Sequence, residues 1–179
     1  LSRRQRQMCI RDSFMPVTLS PDKPISLIFE FHGSYGFDGP DEIADPLANI
    51  SEANFLCQKA IKENIVICYP AGSVEISNEA DTSGAVNWAG DGYTKSLPFV
   101  DAMVKYFTQD NEPRVDPNRI YSTGQSSGAI FSFTLALHRS DVFAAITPRA
   151  GQSASVEPFP SRAVPVRVFA GEIDDAVQH

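Results

Sequence analysis

A serine with a glycine two positions away on either side, Gly124-Gln125-Ser126-Ser127-Gly128, is the stretch of this chain best suited to chemistry. In a Gly-x-Ser-x-Gly pattern the serine occupies a sharp strand-to-helix turn. The turn holds the backbone in a strained conformation and pushes the hydroxyl out of the fold, where it can act as a nucleophile toward a carbonyl carbon. Both glycines have a steric task. Side chains two before and two after the serine would collide where strand and helix cross, so hydrogen is the largest substituent that fits. The five residues alone are weak evidence, because at about 7% glycine and a similar share of serine roughly one chain in twenty of this length carries them by accident. The flanks add weight. Ile120 to Thr123 is β-prone and follows the turn-forming Asp116-Pro117-Asn118, while Ala129 to Leu137 is apolar on most sides, as a helix packed on a sheet should be. The competing reading is a glycine-flanked turn with an incidental serine.

Positioning that hydroxyl requires a sheet. Ile25 to Phe31 is a near-continuous apolar run after Pro24 and predicts a strand buried on both faces. It runs into His32-Gly33-Ser34-Tyr35-Gly36, where a backbone N–H can face a reacting carbonyl, with Gly33 permitting close approach. His32 reads as structural, holding this loop by hydrogen bonds. Helical spacing covers Leu47 to Lys62, with Leu47, Ile50 and Cys57 facing one way, and Ile65 to Tyr69 is the next buried strand, ended by Pro70-Ala71-Gly72. Ser73 to Thr94 is polar and reads as a long irregular loop. Trp88, the sole tryptophan, lies in it, either pinning the loop to the body or facing a substrate. Glu75, Glu79, Asp81 and Asp91 show no ligand spacing of a known metal loop. Ser96 is placed to cap a helix running through Gln109. Val142 to Thr147 and Pro165 to Ala170 predict two more strands, the second leading to Gly171-Glu172-Ile173-Asp174-Asp175. Strands alternating with helices predict an α/β fold, a doubly wound, mostly parallel sheet flanked by helices. His32-Gly33, Ser126 and Asp174 all fall at carboxyl ends of predicted strands, where functional loops gather.

The chain is one domain long, with 179 residues, 42% of them hydrophobic. It has no apolar run of the roughly 18 residues needed to cross a bilayer. Residues 1–13 stand apart. They carry four arginines, show neither helical period nor strand alternation, and resemble translated sequencing-adapter sequence; the alternative is a disordered basic arm for targeting or nucleic acid. Residues 14–179 then form a single domain. Without the first thirteen residues the remaining 11 basic and 21 acidic residues give a net charge of −10, against −7 for the whole. So acidic a body argues against nucleic acid and anionic membranes as partners. Cys9 lies in the odd stretch, leaving Cys57 and Cys68, which read as free cysteines packed as small apolar groups, with a disulfide as the alternative.

Phe31-His32-Gly33, Tyr69-Pro70-Ala71-Gly72, Asn87-Trp88, Val115 to Tyr121 running into the Gly-Gln-Ser-Ser-Gly stretch, Asp141 to Ala145 and Ala150-Gly151 together resemble the α/β-hydrolase superfamily. Within it they are similar to the branch of polyhydroxybutyrate depolymerases and feruloyl esterases, over about Pro24 to Val177. The resemblance implies an ester hydrolase that uses no metal or organic cofactor. Ser126 matches the nucleophile, Ser34 and Ser127 supply the backbone N–H donors of an oxyanion hole, and Asp174 stands as the triad acid ahead of its neighbour Asp175. Gly124 and Gly128 support the turn. Tyr35, Trp88 and Gln125 are candidate contacts for an aromatic or polymeric ester, of the feruloyl or polyhydroxyalkanoate type. Lys95-Ser96 departs from the pair of aspartates that opens the following helix in this branch. Superfamily order is serine, acid, histidine, and the five residues from Asp174 to His179 are too few for the dozen or so of a crossover. The expectation is therefore a fold incomplete at both ends, with the histidine beyond residue 179, secreted as its relatives are, and inactive as these residues alone. A serine peptidase of the same fold and a non-catalytic binding protein on this scaffold are the alternatives.

Overall fold

The computed structural model describes residues 12–37, 53–78, 83–172 and 174. Residues 1–11, the start of the helix predicted from Leu47, Glu79, Asp81, Asp175 and His179 lie outside them. The main sheet has five strands in the order β1-β4-β2-β7-β8: β1 (Asp12–Phe14), β2 (Ser26–Phe31), β4 (Ile65–Tyr69), β7 (Ile120–Gln125) and β8 (Ala145–Arg149). All neighbours are parallel except β1, which runs antiparallel to β4. The apolar run expected to be buried on both faces is β2, set between β4 and β7 with five of its six residues buried.

Alternation along the strands separates two apolar layers. Leu27, Phe29 and Phe31 of β2 and Cys68 of β4 pack with α3 (Leu97–Lys105) and α4 (Ser127–His138). The intervening Ile67 and Tyr69 face the other way, toward α1 (Ala53–Glu63). Helices thus cover both faces, as a doubly wound sheet requires. The same alternation separates the cysteines. Cys57 on α1 sits 4.0 Å from the Tyr69 hydroxyl on one face, while the Cys68 thiol lies 3.9 Å from the Met103 sulfur on the other, and both are free.

Several expectations are corrected. Ser73 to Thr94 is not an irregular loop: β5 (Ser73–Asn78) and β6 (Ser83–Asn87) pair antiparallel, and β3 (Tyr35–Phe37) joins β6 to make a second, three-stranded sheet. Polar residues form strands there because one sheet face need not be buried in an antiparallel ribbon. The ribbon is followed by α2 (Gly90–Tyr93), a single turn in which Asp91, Gly92 and Tyr93 all have positive φ. The helix expected from Ser96 through Gln109 is present, α3 to Lys105 continuing as a π-helical turn, Tyr106–Asp110, but Ser96 is buried and makes no side-chain cap bond. The strand expected at Val142 begins at Ala145, because the amides of Val142 and Phe143 turn back to the Arg139 carbonyl. Pro165 to Ala170 runs parallel to β8 as expected, joined to it from Pro165 through Phe169 by four main-chain hydrogen bonds, while Val166 and Phe169 stay half-exposed. Asp12 and Ser13, placed with the odd N-terminal stretch, belong to β1; an edge strand is held by main-chain pairing with Tyr69 and Cys68, which needs no side-chain pattern.

Candidate active site

Strand β7 delivers the chain to Ser126 and α4 takes it away. At Ser126 the backbone has φ 52° and ψ −119°, a positive φ that costs an L-residue free energy and persists only where the surroundings impose it. The surroundings are a tight crossing. A Cβ at Gly128 would lie 2.2 Å from the Phe31 carbonyl oxygen, and one at Gly124 would lie 2.7 Å from both that oxygen and the Gly128 backbone. Neither position admits any side chain. Ser126 is exposed, as is Gln125, the last residue of β7. The Ser126 amide donates to the Arg149 carbonyl at 3.1 Å and its own carbonyl accepts from Ile130 at 3.0 Å, so both flanks of the turn are bonded.

Around Ser126 gather most of the residues nominated from the sequence. Ser127 opens α4, so its amide is among the first four of the helix, which have no acceptor within it, and the helix dipole makes this end favourable to negative charge. Its side chain is buried, and its hydroxyl accepts the Trp88 amide at 3.1 Å. The loop after β2 runs alongside, since a Cβ at Gly33 would come within 3.4 Å of Ser126 Cβ. Ser34 is exposed in that loop, and Tyr35 is half-buried at the start of β3, its ring 5.2 Å from that of His32. Trp88 as a substrate contact is overturned. It is fully buried, stacked on Phe131 at 5.0 Å and edge-on to Phe31 at 4.9 Å, so of its two readings the one that pins the chain holds.

His32 is structural, as expected. The Gly72 amide donates to Nε2 at 2.9 Å, so that nitrogen is an acceptor and the proton sits on Nδ1, which donates to the Gly33 carbonyl at 2.7 Å. Burial lowers its pKa below the usual histidine value, and the bond to Gly33 opposes that only partly. With both nitrogens engaged, the ring has no lone pair to offer a serine hydroxyl. His138 ends α4, roughly 18 Å along the helix from Ser126 at 1.5 Å per residue, and is too far to act on it.

Asp174 is half-buried, and its amide donates to the Gly171 carbonyl at 3.3 Å. The chain reaches it from Phe169, whose carbonyl accepts the Ala150 amide at 2.8 Å just past β8. Asp174 therefore lies at the carboxyl end of the sheet, the end that carries Ser126. Two features there escaped the sequence reading. Ala150 has φ 47°, a second strained turn beside that at Ser126, and a Cβ at the following Gly151 would meet Ala129 Cβ at 2.6 Å and the Ser126 carbonyl at 2.9 Å. Glu30, buried on β2, pairs with Arg149 at the end of β8, tying the strands together beneath the site. A lone carboxylate within an apolar strand run was the signal for that pair, since a buried charge needs a partner. No group of three or more His, Cys, Asp or Glu that could hold a metal occurs among the described residues.

No protein-family model matches the chain, and no curated protein matches it in sequence. Solved structures do match. Acetyl xylan esterase from Aspergillus awamori superposes with a TM-score of 0.54 at 21% identity, covering 79% of this chain and 46% of that one. Esterase PE8 gives 0.61 at 18% identity, over 93% of this chain and 76% of the other. The fold is that of the α/β-hydrolases. A thermostable esterase adds a third likeness, with a TM-score of 0.54 at 16% identity over 90% of this chain. The chain spans about half the length of the acetyl xylan esterase and of the thermostable esterase.

Proposed function

We propose that the protein is a serine ester hydrolase acting by acyl transfer through Ser126. The observation that carries the reading is the strained, exposed Ser126 at the head of α4, on a crossing too tight for any side chain at Gly124 or Gly128. Backbone strain of this kind clusters at sites of reaction. Ser126 Oγ attacks the ester carbonyl carbon while its proton passes to a histidine base, which is neither His32 nor His138. The tetrahedral oxyanion takes hydrogen bonds from the backbone N–H groups of Ser34 and Ser127, each worth roughly 3 kcal/mol of barrier. Collapse breaks the bond to the alcohol, which leaves with the proton from the histidine, and water then releases the acid by the same steps in turn. Asp174 orients the base and stabilises its charged form. The resemblance to feruloyl esterases and polyhydroxybutyrate depolymerases favours aromatic or hydroxyalkanoate esters, and the esterase neighbours of the same fold support ester chemistry in general.

Turnover of methyl ferulate, hydroxybutyrate oligomers and a peptide anilide by the full-length protein tests this. The expected result is ester hydrolysis that Ser126→Ala lowers by about 10⁴-fold or more. Preference for the anilide would make the protein a peptidase, and a Ser126→Ala variant as active as the parent would overturn the mechanism.

A further inference from the structure

Trp88 touches both chain segments that carry the oxyanion donors, and it does so with two different N–H groups. Its backbone amide donates to the Ser127 hydroxyl at 3.1 Å, and its indole Nε1 donates to the His32 carbonyl at 3.0 Å. We propose that Trp88 is a positioning residue, a strut that fixes the separation of the His32–Ser34 segment from the Ser126–Ser127 turn and so sets the width of the oxyanion hole. The inference rests on the reading of Ser126 as nucleophile.

Rigidity is the first argument. The two N–H groups belong to one residue, and the side chain joining them is clamped. Phe131 stacks on the indole at an interplanar angle of 10°, Phe31 meets it at 80°, and the His32 ring lies 5.1 Å away. With no exposure to solvent, the indole cannot leave its rotamer without opening the core. Sliding one donor segment past the other therefore breaks a buried hydrogen bond, and such bonds meet no competition from water.

Residue choice is the second argument. Phenylalanine would fill the same slot between Phe31 and Phe131, yet it would leave the His32 carbonyl without this donor. A tryptophan there serves hydrogen bonding as well as packing. Ser127 likewise acquires a second task beyond its amide, because its hydroxyl is the acceptor at the other end of the strut. His32 extends the same network, donating to the Gly33 carbonyl and accepting from Gly72. The donor loop is thus held from both its sides.

The test uses the full-length protein with Ser126 titrated by a fluorophosphonate, so that turnover is expressed per reactive site and any unfolded fraction drops out. Trp88→Phe keeps the packing and removes the indole donor; Ser127→Ala keeps the amide and removes the acceptor; Ser127→Thr restores it. Misplacement of a catalytic group by about an ångström costs up to about 100-fold, so kcat per site should fall about 10- to 100-fold in Trp88→Phe and in Ser127→Ala, with KM nearly unchanged and recovery in Ser127→Thr. A structural role alone would lower the melting temperature and leave turnover per site intact, and that result overturns the strut. If Trp88→Phe does not fold, the Ser127 pair decides by the same criterion. Absence of labelling in the parent protein overturns the nucleophile and the strut together, whereas normal labelling with unchanged turnover overturns the strut alone.

Discussion

His32 is held in its structural role by two bonds, one at each ring nitrogen. A histidine beside a reactive serine invites the role of base, but its two ring nitrogens are already committed to Gly33 and Gly72 as acceptor and donor. The neutral ring is the form that fits. Protonation would place a charge in a buried setting, and burial is why the pKa lies below the ordinary value of 6.5, with the bond to Gly33 opposing it in part. A histidine whose folded pKa is depressed contributes stability above its unfolded pKa and loses it as pH falls through the folded value. Thermal melts should therefore show falling stability on acidification below about pH 6.5, a limb that the non-titrating His32→Gln flattens. A His32→Gln variant with the parent's acid limb would assign that limb to other groups. Sequence alone carried the structural role of His32 and the exposed position of Ser126, because each follows from a strand end with glycine one or two positions away. It could not carry the burial of Trp88, since a lone aromatic in a polar stretch has the same pattern whether it turns inward or outward.

Among the elements, the crossing of β7 and α4 over the end of β2 is the least tolerant of change. A methyl group at Gly128 would meet the Phe31 carbonyl at 2.2 Å, a main-chain contact with no flexible end to yield. Gly128→Ala should cost about 3 kcal/mol, the upper range for overpacking, whereas Gly33→Ala, whose nearest atoms stand at 3.4 Å, should cost well under that. Chemical denaturation of the two variants compares them directly, and equal losses would contradict the crossing geometry. The parallel core strands were legible because runs such as Leu27 to Phe31 and Ile65 to Tyr69 are apolar at every position or nearly so. The small sheet of β3, β5 and β6 was not. Its strands are held chiefly by antiparallel main-chain pairing, and the polar residues of Ser73 to Asn78 look like a loop in the sequence. Pro165 to Ala170 was legible from its alternating valines and does pair with β8 through main-chain bonds, but its apolar side chains stay half-exposed.

At the scale of the molecule, a parallel sheet with helices on both faces divides the interior into two apolar layers, and Cys57 and Cys68 lie on opposite sides of it. Burial raises the Cys68 thiol far above the usual cysteine range, leaving it protonated and inert. The melting temperature should accordingly be the same with and without reductant, and intact-mass analysis should find both Cys57 and Cys68 as free thiols. A reductant-dependent shift would contradict their separation by the sheet. The same architecture gathers the loops after β2, β7 and β8 at one end, and there stand Ser34, Ser126, Ser127 and Asp174. The order of strands and helices was readable from apolar periodicity, but the joint strain at Ser126 and Ala150, on adjacent strand ends, exists only once the strands are side by side. On the function proposed above, this end of the sheet presents an activated serine. Treating the full-length protein with a fluorophosphonate and mapping the adduct by mass spectrometry tests it directly: a single modification on Ser126, lost in Ser126→Ala, is the predicted result, and an unmodified Ser126 or an adduct on another residue would contradict it.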